Sequence, residues 1–205
     1  FLIGMATSGG NPTLTQCTFS GNSNVPGYGG GLSLYGTGTA TLRSCTFSGN
    51  LNANSGGAIY CSVGNGPVNL LMVDCTIMGN SAKYIGGIMV DHGGHATLTN
   101  CLIAGNAATG TGQWGFGGGL GCAGSGVTSV LKNCTIAGNT ATTNGGGVFN
   151  GSSGLFNVFN TIVAGNTGGT NPDVLSSAFG SHNLIGDGTG LSNLSNGDAN
   201  GNMVG

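Results

Sequence analysis

Charge is what this sequence most conspicuously lacks. Its 205 residues include 3 Lys/Arg and 5 Asp/Glu, about 4% in all, where ordinary domains carry about 25%. The acidic residues are all aspartates, because glutamate is absent. Arg43, Lys83 and Lys132 are too few to follow a phosphate backbone, so no nucleic-acid partner is expected. No apolar run approaches the roughly 18 residues of a membrane span, and Asn69-Leu70-Leu71-Met72-Val73 is only strand-sized. Glycine-free stretches in the repeats described below reach at most 12 residues, from Pro67 to Met78, barely the 10 to 12 a helix would need. The amino end, Phe1-Leu2-Ile3-Gly4, has neither an initiator Met nor a basic leader and reads as a cut edge.

Glycine, in contrast, is abundant at 46 residues, yet 38% of the chain is hydrophobic. Disordered chains are poor in apolar residues and rich in net charge. This one is neither.

What is present is a period. The segment Asn133-Cys134-Thr135-Ile136-Ala137-Gly138-Asn139 recurs, with its cysteine slot at Cys17, Cys45, Cys75, Cys101 and Cys134 and Thr161 in the sixth position. Successive slots lie 28, 30, 26, 33 and 27 residues apart. A Gly-Gly block followed by an aliphatic residue sits between them, as in Gly56-Gly57-Ala58-Ile59 and Gly86-Gly87-Ile88-Met89. An apolar residue three before each slot (Leu14, Leu42, Met72, Leu98, Leu131, Val158) completes the unit. Repeats of this length signify stacked architectures. Alternation such as Cys134 in, Thr135 out, Ile136 in is that of a strand.

These features predict an all-β fold, a right-handed parallel β-helix of about six coils of 26–33 residues with three short strands per coil. Coils would occupy residues 1–170, the first incomplete with Phe1-Leu2-Ile3 near the Gly-Gly slot. Residues 171–205 would be an irregular coil or cap-like tail. Coils stacked about 4.8 Å apart place like residues above one another. The slot cysteines are therefore expected as a ladder of reduced, buried thiols, whose parallel side chains suit a disulfide poorly. Asn22, Asn50, Asn80, Asn106, Asn139 and Asn166 are expected as an amide ladder, each placed at a corner whose left-handed backbone asparagine tolerates. A stacked charge would repeat its repulsion at every coil, which accounts for the scarcity of charge.

The Gly-Gly blocks and the Cys-Thr-Phe-Ser-Gly-Asn segments at Cys17 and Cys45 resemble secreted bacterial right-handed parallel β-helix repeat proteins. Gly56 to Ile59, with Phe19 and Phe47, also resembles repeats of chlamydial polymorphic outer-membrane proteins. Thr161 to Asn166, Pro172-Asp173-Val174 and Asn183 to Gly188 resemble the choice-of-anchor β-helix proteins of environmental bacteria. The resemblance implies an extracellular or cell-surface location and leaves activity unassigned.

Candidate chemistry is sparse. Glycoside hydrolysis needs two convergent carboxylates. Asp74 and Asp91 are expected on different edges, and Asp173, Asp187 and Asp198 lie in the tail. Asp91, His92 and His95 are the densest set of possible metal ligands; a polar turn with exposed histidines is the preferred reading, so neither metal nor cofactor is expected. Cys61 and Cys122 share a slot, with Asp91 expected between them. Trp114 and Phe116, on the longest loop, suit stacking on a sugar, on a partner or locally.

The function expected is that of a secreted, non-catalytic structural or adhesive β-helix. It would associate with itself end to end or laterally, with cell-surface polysaccharide as a further partner. A fragment of a polysaccharide lyase or glycoside hydrolase, and an autotransporter-like adhesin passenger, are the alternatives.

Overall fold

The computed structural model describes residues 4–24, 26–151 and 154–205, apart from the side chain of Asn65. The expected placement of Phe1-Leu2-Ile3 lies outside them. Among the described residues there is no helix, and strands pair only in parallel, each with its counterpart one coil away. They form three sheets of 13, 8 and 6 strands.

One coil illustrates the path. Ile88–Asp91 and His95–Thr99 run in the largest sheet on either side of a bend at His92 and Gly93. Asn100 turns the chain sharply into Leu102–Ala104 of the eight-stranded sheet. Gly105 and Asn106 turn it again into Ala107–Ala108 of the six-stranded sheet. Equivalent residues face one another from coil to coil, as in Leu98 with Leu131 and Ile103 with Ile136. Inward aliphatics and cysteines fill one continuous core running from Leu32 to Leu194.

The structure departs from the sequence-based expectations at four places. In two coils the first two strands merge, giving Leu32–Arg43 and Ile59–Val73, because the glycines there bend the strand through a bulge near Gly36 and Gly38 without ending it. The tail is also more regular than expected. Val174–Ser177, Phe179–Ser181 and Leu184–Ile185 pair with the preceding coil, and Leu191–Ser192 and Met203–Val204 pair in turn with that one.

The left-handed residues are not the ladder asparagines. They are the residue before each core slot, such as Asp74 (φ 55°) and Asn133 (φ 54°), and the glycine before each asparagine, such as Gly138 (φ 64°). The asparagine points inward, which leaves the glycine to make the corner. Finally, Val90 and not Asp91 stands between Cys61 and Cys122. The pair Gly86-Gly87 aligns with Gly57-Ala58, so the register there is one residue away from the one that matching Gly-Gly pairs suggests.

The inner amide ladder is continuous. Asn22 Nδ2 donates to Asn50 Oδ1 at 2.8 Å, and Asn50, Asn80, Asn106 and Asn139 each donate onward at 2.8–2.9 Å. Each also gives its backbone N–H to the same oxygen. From Asn50 onward, Nδ2 further donates to a carbonyl of the preceding coil, as in Asn106 to Ile77 at 3.0 Å. Asn166 donates last, to Asp173.

The cysteine slot becomes polar at its far end. Cys134 N–H meets Thr161 Oγ1, Thr161 N–H meets Asn183 Oδ1, and Asn183 donates to Asn202, which donates to Asp198. A third, exposed ladder runs the opposite way, from Asn160 to Asn133 to Asn100 and onto Asp74.

Candidate functional site

The register slip builds a feature on the outer wall of the helix. Where neighbouring coils place a left-handed glycine (Gly56, Gly117), this coil has Ile85, fully buried. Its side chain lies over Gly121, where a Cβ would come within 2.3 Å of Ile85 Cδ1. Gly121 belongs to an outward row with Tyr60, Met89 and Phe149. Ile85, Tyr60 and Met89 thus form a small second core outside the main one, with Tyr84 and Phe149 packed against it.

Aromatic rings extend this patch. Tyr28 stacks on Tyr60 with centroids 4.6 Å apart. Tyr84 stands edge-on to Trp114 at 5.8 Å and to Phe149 at 6.0 Å, and Phe116 packs on Phe149 at 5.0 Å. Trp114 sits on the loop of the longest coil, held by Thr143, whose hydroxyl donates to the Trp114 carbonyl at 2.7 Å. Trp114 is 41% exposed, and Lys83 Nζ lies 4.9 Å from its ring centroid, within cation–π range.

The rings enclose a cleft of about 400 Å³ whose lining includes Tyr28, Tyr60, Tyr84, Met89, Asp91 and Trp114. Asp91 Oδ2 accepts the Tyr60 hydroxyl at 3.0 Å. Its Oδ1 accepts the His92 backbone N–H at 3.0 Å and lies 2.7 Å from His92 Nδ1. Burial pushes the Tyr60 and Tyr84 hydroxyls up, Tyr84 to about 12 with the Asp91 charge adding to the effect, so these two remain donors at neutral pH. Ser55 also lines the cleft; its buried hydroxyl has no partner among the described residues.

The candidate residues are dispersed. Asp91 and His92 meet, but among the described residues no group of three metal-ligating side chains forms, and His95 stands apart on the next strand segment. That bend spreads the three candidates because His95 returns to the sheet in register with Asn69 and Thr128. Asp91 is the single carboxylate lining the cleft. Asp74, Asp173 and Asp198 are engaged in ladders, and Asp187 accepts the Thr189 backbone N–H at 2.8 Å.

All seven cysteines are free thiols, with Cys17 the least buried. Cys61 is pushed up to about 12 and Cys122 to about 11 by burial, which keeps them protonated and unreactive. Among the described residues no helix is long and apolar enough to cross a membrane.

Sequence reasoning found Trp114 and Phe116 but missed Tyr28, Tyr60, Lys83, Tyr84 and Met89. The signal that could have revealed them is the outward slot shared by Tyr60 and Met89, visible only once the slip at Ile85 is allowed for. Neither the curated proteins nor the solved structures compared with the chain provide a match. A family model described as "right handed beta helix region" matches residues 2–185, and with the parallel three-sheet solenoid this establishes that the chain belongs to the right-handed β-helix family.

Proposed function

We propose that the chain is a non-catalytic β-helix that works outside the cell as a structural or adhesive module. The observation that carries this reading is the allocation of its carboxylates. Three of five end amide ladders, and one alone lines the aromatic cleft. Hydrolysis of a glycosidic bond calls for two carboxyl groups about 5–9.5 Å apart across the substrate. The near-neutral surface fits a module that meets solvent or matrix without steering charged ligands.

Two measurements test it. Purified protein incubated with acidic and neutral polysaccharides should release neither reducing ends nor unsaturated uronates. Depolymerisation abolished by Asp91→Asn would replace this reading with that of a lyase or hydrolase. Antibody labelling of intact producing cells should find the protein at the surface or in the medium; confinement to the cytoplasm would refute the location.

A second reading, self-association, is favoured by one observation. Leu102, Ile162, Leu184 and Met203 are exposed in a single outward row of the eight-stranded sheet. That face suits lateral contact between copies. Rods lying side by side are expected by electron microscopy, and rods joined only end to end would contradict this arrangement.

A further inference from the structure

We infer that the cleft between Tyr28 and Trp114 binds a neutral saccharide, its ring faces against the aromatic side chains and its hydroxyls on Asp91, Lys83 and Ser55. The inference deepens the adhesive reading and takes its setting from it.

The chemistry of the lining selects the ligand. The cleft is mostly apolar, with a few polar groups converging on it, the usual make-up of a small-molecule site, and its volume of about 400 Å³ lies in the range of such sites. Both signs of charge are already present. Lys83 holds its ammonium against the Trp114 ring, which disfavours an alkylammonium ligand in the same aromatic enclosure. Asp91, buried beside Tyr60, disfavours an anionic one. A neutral molecule with an apolar face and a polar rim avoids both penalties, and a pyranose has that form.

Hydrogen bonding agrees with this. Asp91 is only partly used, since an ionised carboxylate offers about four acceptor sites and the chain occupies three at most. The Ser55 hydroxyl, 5% exposed and unpartnered among the described residues, is a polar group waiting for a partner at this site. Phe116, Phe149 and Ile85 support the cleft from behind, so the rings are held in place before a ligand arrives.

Trp114 is the single tryptophan of the chain, so its fluorescence reports on the cleft directly. The probes are cellotetraose, chitotetraose, maltotetraose and mannotetraose, with tetragalacturonate and tetramethylammonium chloride as charged comparisons. At least one neutral tetrasaccharide should change Trp114 emission saturably at millimolar concentration or below. By calorimetry, Trp114→Ala and Asp91→Ala should each weaken that binding about ten-fold or more. Lys132→Ala, remote from the cleft, should leave it unchanged. Trp114→Ala removes an exposed loop side chain, so an unaltered circular dichroism spectrum will separate lost binding from lost folding.

The inference is overturned if no neutral tetrasaccharide perturbs Trp114, or if only a charged probe saturates. It is also overturned if binding survives both cleft substitutions. A saccharide that binds and is cleaved would leave the site standing and defeat the non-catalytic reading. An inert protein that binds no saccharide would do the reverse.

Discussion

Asn166 gives both its side-chain amide and its backbone N–H to one oxygen of Asp173, at 2.8 and 3.0 Å. The other oxygen accepts the backbone N–H of Asp187 at 2.7 Å. This buried carboxylate is the end of the inner amide ladder. A ladder of asparagines is directional, because each residue donates to the next and must itself be accepted. Its last member needs an acceptor that brings no further amide to place, and the aspartate carboxylate supplies it. Asp198 ends the core-slot ladder in the same way, and Asp74 ends the exposed one at the opposite end of its run. Charge is tolerated where an amide ladder stops, although the coils themselves continue past both Asp74 and Asp173.

Replacing Asp173 by asparagine keeps the shape and changes one acceptor into a donor. The new amide would oppose either the Asn166 amide or the Asp187 N–H, leaving a buried donor unpaired. The expected cost is about 1–3 kcal/mol, read as a lower urea midpoint at unchanged slope. A variant as stable as the parent would show that the carboxylate is not a stop but an incidental acceptor.

Much of the fold was readable from the cysteine and asparagine slots, because a stacked coil forces like residues into register and so writes its geometry as a period. The site was less readable, for three physical reasons. Asp173 enters the ladder only seven residues after Asn166, so it breaks the spacing that identifies its neighbours. Ile85 replaces a turn glycine and shifts the apparent alignment by one residue, which hides the outward pairing of Met89 with Tyr60. Tyr28, Tyr84 and Trp114 come from turns of three different coils, and loops carry no period. Corner backbone was misassigned because the glycine and the asparagine are adjacent, and the sequence does not say which of them turns the chain.

Burial, more than amide chemistry, should decide what each ladder contributes. Asn106 is fully buried, and Asn106→Ala removes the oxygen that accepts both Asn80 N–H groups and the amide that serves Ile77 and Asn139. A loss of about 3 kcal/mol or more is expected, since several buried groups lose partners together. Asn133 makes similar amide contacts on the exposed ladder. There glycine suits the left-handed backbone, so Asn133→Gly should change stability by no more than about 0.5 kcal/mol. Equal losses from both substitutions in denaturant titrations would contradict this assignment.

Alkali should destabilise the protein through its buried thiols. Cys61 is raised from 9.0 to about 12 and Cys122 to about 11, in both cases by burial, and Cys45 is raised for the same reason. A group whose folded value is raised holds its proton longer in the native state. Its contribution is complete below the unfolded value and is lost as pH rises through the folded one. Stability should therefore fall above about pH 9, by up to about 1.4 kcal/mol per pH unit for each such thiol. Cys61→Ala/Cys122→Ala should flatten that slope, whatever it does to stability at neutral pH. A slope unaffected by the double substitution would assign the alkaline loss to other groups.

The packing of Ile85 over Gly121 can be tested as a pair. Gly121 has no left-handed backbone to protect, and an alanine there meets the Ile85 side chain first, whose Cδ1, Cγ1 and Cγ2 would lie 2.3, 2.6 and 3.2 Å from the new Cβ. Gly121→Ala alone should cost about 1–3 kcal/mol by overpacking. Ile85→Ala alone should cost about 2–5 kcal/mol by opening a cavity. Combined, the added methyl occupies part of the space that the isoleucine vacates, and the double variant should be more stable than the sum of the two losses by about 1 kcal/mol or more. Strict additivity would mean that the two side chains do not compete, and that the slip at Ile85 is not what shapes the floor under Tyr60 and Met89. Because that floor carries the aromatic cleft, Ile85→Ala should also loosen the Tyr84–Trp114 contact and red-shift Trp114 emission, while Gly121→Ala should shift it little.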